Sequence, residues 1–593
     1  MTSTSLQVDL DTNLPTLREK RKCEDLCAQI DPGNDGWDTE VVSNAVEKQL
    51  KAIGEVIAQA DDQHAAARQL ATADYLSGAL RPPELTKVWQ DQGISVFRPA
   101  SADRANAAAA LAPVTTHQGP AGFAEALRAL AAGLQKAQGV WVKFKVFRIT
   151  DAQPAMVTLA YYQAAGRTEQ GMVQQGATWR CRWRMEKTEK GNIPLIERID
   201  VTDYEESVSA LPAKTLFSEW TQAALAKEPA FESQLKHGLN YWVEGIDRSY
   251  RTGITERYGL ALGDANGDGL EDVFVCQPVG IPKRLLVQQP DGTFRDQAAA
   301  AGVDFLDHVS AALFVDLDND GDQDLVLATL YRVLFLANDG HGHFTLRREQ
   351  VIKEWDVHAL SAADYDSDGD LDVLLTVATG VAGKPRTAYF DAHDGGGIML
   401  FRNDIALDQK EWKFTDVTDE VGLGGKTNDR QALAAAWEDY DNDGDLDFYV
   451  ANDFGPNDLW RNDGGKFVNV ALEARVEDFG SGMSAIWGDF NRDGKMDLYV
   501  GNMFSSAGNR ITFQTDKMRA TDPRSLPVLQ RFAKGNSMFE NLGGGRFREV
   551  GDTLGVEMGR WAWSSLFVDV NNDGWEDLFV VNGYVTNDIP HDL

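Results

Sequence analysis

One motif constrains this chain more than any other feature. The nonapeptide D-x-[DN]-x-D-G-x-x-D occurs six times, with starts 52, 48, 75, 50 and 80 residues apart. Its positions 1, 3, 5 and 9 are Asp264, Asn266, Asp268 and Asp272 in the first copy. They are Asp316, Asp318, Asp320 and Asp324 in the second, and Asp364, Asp366, Asp368 and Asp372 in the third. The fourth has Asp439, Asp441, Asp443 and Asp447, and the fifth Asp489, Asn491, Asp493 and Asp497. Asp569, Asn571, Asp573 and Asp577 form the sixth. Position 6 is always glycine.

The spacing suits a hard cation. Ca²⁺ takes about six to eight oxygens. Alternate acidic residues turn inward on a tight loop, and glycine at position 6 permits the sharp turn that a Cβ would resist. Position 7 (Leu270, Asp322, Asp370, Asp445, Lys495 and Trp575) offers a backbone carbonyl, so its side chain is free to vary. The Asp at position 9 closes the shell. An EF-hand loop starts alike but closes with Glu at position 12 between helices. Asp/Asn/Gly clusters also make plain turns, an explanation adequate for one copy but not for six in one register. The expected cofactor is Ca²⁺, about five or six ions. The three copies with Asn at position 3 carry less charge and are expected to bind more weakly.

The flanks choose strand over helix. Val273–Val275, Leu325–Leu327, Val373–Leu375, Phe448–Val450, Leu498–Val500 and Leu578–Val580 follow the loops as short β-branched and aromatic runs. Apolar runs such as Ala311–Val315, Ala434–Trp437 and Ser484–Trp487 precede them. A second turn signal follows, at Asp291–Phe294, Asn338–Phe344, Asn462–Phe467 and Asn541–Phe547. Each unit therefore holds about four strands in ~50 residues, the period of a propeller blade.

Charge divides the chain in the same place. Residues 251–593 carry 30 basic and 59 acidic side chains, whereas residues 1–250 carry 27 and 32. The loops place 21 carboxylates at side-chain ligand positions. Without metal these repel one another, so folding and ion binding are expected to be coupled. The net charge of −34 disfavours nucleic acid as a partner. No apolar run of ~18 residues marks a transmembrane segment. Met1–Arg21 has basic residues without an apolar stretch behind them, so it does not read as a signal peptide. Four cysteines (Cys23, Cys27, Cys181 and Cys276) are too few for a disulfide framework.

These loops resemble the integrin α-subunit propeller and, more closely, the bacterial FG-GAP/VCBS repeat proteins. The resemblance spans roughly residues 251–593. It implies a mainly β fold, a six- to seven-bladed β-propeller with Ca²⁺ in hairpin loops on one face. It further implies a binding or adhesion role, extracytoplasmic or secreted. The chain reaches Leu593 soon after the sixth loop, so strands from around residues 240–262 are expected to complete the last blade.

Ahead of the propeller, an α+β domain is expected over 38–204, after a mobile lead at 1–37 and before a helical bridge at 205–250. Helices are read at 38–60, 62–79 and 122–138. Strands follow at Val140–Ile149, Ala155–Ala164, Met172–Met185 and Pro194–Val201. This order resembles the nuclear transport factor 2-like (SnoaL-like) cone, by topology alone.

No nucleophile elbow, zincin, Walker or dinucleotide-binding motif stands in a fitting context. The chain thus reads as a binder rather than an enzyme. The alternatives on the same scaffold are a Ca²⁺-dependent polysaccharide lyase or hydrolase, and a lectin. The expected partner is a protein or glycan ligand, engaged through two insertions at 376–400 and 503–538. The second carries Arg510, Lys517, Arg519, Arg524, Arg531 and Lys534 against Asp516 and Asp522. Such a loop either binds a partner or neutralises the acidic surface beside it. Trp437, Trp460, Trp487, Trp561 and Trp563 either stack on sugars or pack the blades.

Overall fold

The computed structural model describes residues 38–59, 64–91, 93–100, 115–135, 137–150, 156–169, 171–188, 191–210, 217–237, 241–242, 258–352, 357–378, 391–405, 411–425, 428–514 and 525–583. The chain separates into two compact units, Met1–Thr215 and Leu216–Leu593. The expected lead at 1–37, with Cys23 and Cys27, lies outside the described residues, as do parts of the bridge and of both insertions.

The first unit is built on long antiparallel strands. Strands β1 (Ala71–Ser77), β2 (Leu85–Gln90), β3 (Ile94–Pro99), β4 (His117–Gln118), β5 (Gln138–Thr150), β6 (Met156–Thr168), β7 (Gly171–Thr188) and β8 (Gly191–Ser209) form one sheet, ordered β2-β3-β8-β7-β6-β5 with β1 on β8. Helix α1 (Asp38–Ala58) presents Val46, Leu50, Ile53 and Ile57 to a core that also holds Trp179, Trp183 and Tyr162. The spacing of those apolar residues is that of one helical face.

The helix expected over 62–79 is corrected. Only His64–Arg68 is helical, and Ala71–Ser77 pairs in parallel with β8. An Ala-rich stretch has high helix propensity. Here burial of Tyr75 and Thr72 against the sheet outweighs it.

The second unit is a β-propeller of antiparallel meanders. Its sheets are β9 to β12 (Leu260–Gly263, Asp272–Val275, Arg284–Gln288, Phe294–Asp296) and β13 to β16 (Ala311–Val315, Asp324–Ala328, Arg332–Ala337, Thr345–Val351). Next come β17 to β20 (Val357–Ala363, Asp372–Val377, Gly397–Asn403, Phe414–Asp416) and β21 to β24 (Gln431–Glu438, Asp447–Asp453, Asp458–Asn462, Phe467–Asn469). The fifth is β25 to β28 (Gly482–Gly488, Asp497–Asn502, Ser537–Asn541, Phe547–Glu549). Strands β29 (Ala562–Val568) and β30 (Asp577–Asn582) make a two-stranded sixth sheet. First strands of successive sheets lie side by side, from β9 through β13, β17, β21 and β25 to β29. Of the stretch around 240–262 expected to complete the last blade, Leu260–Gly263 form β9, the first strand of the first sheet, while 240 and 243–257 lie outside the described residues.

Between blades the core is aromatic. Phe335 stacks on Phe414, with ring centroids 3.8 Å apart. Trp487 of the fifth blade lies against Tyr440 of the fourth, while within single blades Trp437 lies against Phe448 and Phe467 and Trp487 against Phe547. Trp561 and Trp563 pack on Ala378, Leu433 and Met483. These tryptophans pack the blades.

Candidate metal centre

Each nonapeptide joins the first strand of a sheet to the second, and all six adopt one geometry. The position-1 carboxylate accepts two backbone N–H groups, from positions 5 and 6. At Asp439 these come from Asp443 and Gly444, both at 3.0 Å. The same pair holds Asp264, Asp316, Asp364, Asp489 and Asp569. The position-5 carboxylate accepts from the N–H of position 7, as Asp368 does from Asp370 at 3.0 Å. Position 6 has φ near 98° at Gly444 with open space where a Cβ would stand, so the conformation, not crowding, demands glycine.

Position 4 is also left-handed. Gly267, Asn319, Ser367, Asn442, Arg492 and Asn572 have φ between 57° and 73°. Asn and Gly tolerate that region best, which explains their frequency there. That signal was readable in the sequence and was missed.

The position-9 aspartates have a role beyond ligation. They are fully buried in the first five loops. One oxygen accepts a backbone N–H from the third strand of the blade or the residue after it: Gln288 to Asp272, Asn338 to Asp324, Asn403 to Asp372, Asn462 to Asp447 and Asn541 to Asp497, at 2.7–2.9 Å. In the first three loops the other oxygen accepts the N–H of position 2. The residue thus buckles loop to blade. Burial pushes its carboxyl up, to about 6 at Asp272, about 7 at Asp324, Asp372 and Asp497, and about 8 at Asp447.

The loops divide by position 3. Where it is Asp, carboxylate oxygens converge within 4.8 Å: Asp316, Asp318 and Asp320; Asp364, Asp366 and Asp372; Asp439, Asp441 and Asp447. Asp322 Oδ1, Asp366 Oδ1, Asp441 Oδ1 and Asp447 Oδ2 are buried there with no hydrogen-bond donor. Burial, then the neighbouring carboxylates, raises Asp318, Asp366 and Asp441 above the usual range. Buried acceptors facing one another without donors are what a bound cation would satisfy, so this donor set fits Ca²⁺.

Where position 3 is Asn, contacts within the loop meet part of its acceptors, although Asp497 Oδ2 in the fifth loop is buried without a donor. Asn266 and Asn571 donate Nδ2 to the position-5 carboxylates, each at 3.1 Å. In the fifth loop Lys495 Nζ lies 2.7 Å from Asp493 Oδ2 and holds that carboxyl below its ordinary value. Lys495, expected to serve only through its carbonyl, brings its own cation to the loop.

A further device went unread. The Asn that closes the third strand, or follows it directly, links two blades through its side chain. Asn338 Nδ2 donates to Ala265 O and Gln323 O, Asn403 to Leu317 O and Leu371 O. Asn462 donates to Tyr365 O and Leu446 O, Asn541 to Tyr440 O and Met496 O. Each amide thus ties its own loop to the loop of the preceding blade.

Both insertions leave the opposite end of the strands, between second and third strand. Of the basic insertion, Lys517, Arg519 and Arg524 lie outside the described residues. Arg531 grips buried Asp478 with two contacts at 2.7 Å, and Lys534 lies 2.8 Å from Asp552. Arg531 and Lys534 therefore engage acidic side chains beside their own blade. Phe454, between the insertions, stacks on Phe532 and accepts the N–H of Ala392.

Repeated meanders, each opened by the same acidic loop, define a repeat β-propeller. Residues 264–327, 316–375, 439–500 and 528–580 match the FG-GAP-like repeat, and every loop falls within a match, so this part of the chain is built of FG-GAP-like repeats. The chain is 45% identical over 123 residues to cartilage acidic protein 1 of Mus musculus and 37% identical over 123 residues to that of Xenopus tropicalis. These matches span 20% of this chain and 19% of either relative. Among solved structures, a lectin of Agrocybe aegerita that recognises non-reducing terminal N-acetylglucosamine aligns at 16% identity and a TM-score of 0.33, over 55% of this chain and 75% of its own. No described helix is long and apolar enough to cross a membrane.

Proposed function

We propose that the repeat region is a calcium-dependent binding module, with Ca²⁺ held by the loops that begin at Asp316, Asp364 and Asp439. One observation carries the reading: only these three loops bring three carboxylates within 4.8 Å of one another among the described residues. The Asn-bearing loops beginning at Asp264, Asp489 and Asp569 are weaker sites that keep the same fold by internal hydrogen bonds. The ion count is then about three at moderate Ca²⁺, rather than five or six.

Loops of this kind suit a compartment rich in Ca²⁺, since extracellular modules bind at about 10⁻⁴–10⁻³ M. The partial similarity to cartilage acidic protein 1 supports an extracytoplasmic setting. A protein or glycan is the partner class, and rigid blades with side chains presented on loops suit that role. Calorimetric titration of chelator-treated chain with Ca²⁺ tests the reading. Three comparable sites are expected. Absence of binding heat at millimolar Ca²⁺ would overturn it.

A further inference from the structure

The strongest unassigned feature is a cavity of about 430 Å³ on the metal-loop side of the fourth and fifth blades. Its wall includes Asp441 and Asp443 of the fourth loop, Glu473 from the short helix after β24, and the Gly544-Gly545-Arg546 turn between β27 and β28. That volume is within the range of small-ligand sites, ~300–1,000 Å³.

The turn explains why the space is open. Gly543, Gly544 and Gly545 all have positive φ, and a Cβ on Gly544 would meet nothing within 4 Å. Arg546 is in the place taken by His343 in the second blade and Lys466 in the fourth. His343 lies 3.4 Å from Asp339, and Lys466 Nζ donates to Glu420 O at 2.8 Å. Arg546 has no carboxylate within ion-pair distance among the described residues, although Glu473 stands in the fourth blade where Glu420 stands in the third. The rim therefore offers a guanidinium with five free donors and, beside it, carboxylates that only accept.

A second observation concerns the wall itself. Asp441 Oδ1 is buried there without a donor, and Asp441 belongs to the loop where the calcium reading places an ion. Acceptors at Asp443 and Glu473, a donor at Arg546 and a hard cation nearby complement one chemical class, a polyol with adjacent hydroxyls. Each hydroxyl donates once and accepts through two lone pairs. Arg461 also lines the cavity, but its guanidinium is held by Asp463 at 2.8 and 2.9 Å, which leaves Arg546 as the donor facing these acceptors.

We propose that this cavity is a subsite for a neutral sugar with vicinal hydroxyls, held by Arg546 and Glu473 beside the fourth loop. This rests on the calcium reading above. The test is saturation-transfer NMR and calorimetry on the full chain in saturating Ca²⁺, with methyl mannoside, galactoside and glucoside as probes and methyl glucuronide as the anionic control. Ca²⁺ stoichiometry is measured on the same samples. At least one neutral hexoside is expected to bind. Arg546→Ala and Glu473→Gln should each weaken it about tenfold or more, the loss of a charge-assisted hydrogen bond, with the ion count unchanged. Full ion loading without hexoside binding would overturn the subsite and leave the calcium reading standing. Preference for the glucuronide, or unchanged hexoside affinity in both variants, would overturn it too. A chain that takes up no Ca²⁺ would overturn both.

Discussion

Replacing Asn462 by alanine probes the link between blades and loops. The side chain is fully buried. Its Nδ2 donates to Tyr365 O at 2.8 Å and Leu446 O at 3.2 Å, and its Oδ1 accepts Gly465 N at 2.7 Å. Asn462→Ala removes all three bonds while the backbone N–H to Asp447 stays. At about 1 kcal/mol per net hydrogen bond the loss is about 3 kcal/mol. Two carbonyls left without donors in a dry interface would raise that to about 5 kcal/mol. Asn462→Asp should be at least as damaging, because it faces carboxylate oxygen toward two carbonyls. Urea unfolding in Ca²⁺, followed by the fluorescence of Trp437 and Trp460 in the same blade, reads the effect as a shift in midpoint at constant slope. The clip joins loops 3 and 4, so the variant should also bind Ca²⁺ more weakly at both. A loss under about 1 kcal/mol with unchanged Ca²⁺ affinity would refute this account of how the blades are joined.

Three other outcomes follow from the geometry. Asp441→Asn copies the loops with Asn at position 3 and should remove one Ca²⁺ per chain, counted by titration, with the fold retained. Arg531→Ala leaves buried Asp478 without its cation and should cost about 3–5 kcal/mol in urea unfolding, whereas Arg531→Lys should restore part of it. In the metal-free chain the position-9 carboxyls of the first five loops titrate at about 6 to 8 when folded and near 3.8 when unfolded. The folded state then binds more protons, so its stability is fullest below about pH 4 and falls as pH rises through about 6 to 8. The melting temperature of chelated protein should therefore drop from about pH 5 to pH 8, while Ca²⁺, which favours the ionised carboxylates, should reverse that slope.

The propeller was legible because its information is periodic. Loop spacing, glycine at position 6 and the β-branched runs after each loop all repeat, and repetition suppresses the ambiguity of any one short strand. What one copy could not reveal was direction. Asp447 and Asp443 look alike in the motif, yet one turns into the blade to hold Asn462 N–H and the other faces solvent. The Asn at the end of the third strand reads as part of a turn in the sequence, because its partner carbonyls lie up to 101 residues away. Position 4 was legible in principle, as its Asn and Gly repeat. Around Tyr75 the sequence misled, because local alanine content favours helix and the deciding contact, parallel pairing with β8, is far off in the chain. Of the two readings of the basic insertion, neutralising the acidic side chains beside it fits Arg531, which is held by an aspartate 53 residues earlier.

The most direct test of the central claim is to count ions by native mass spectrometry of the full chain in Ca²⁺ and to record thermal unfolding of the same sample with and without chelator. The account predicts about three Ca²⁺ per chain and a large fall in melting temperature when they are removed. No bound ion and an unchanged melting curve would show that the acidic loops are turns held by their own hydrogen bonds, and would contradict it.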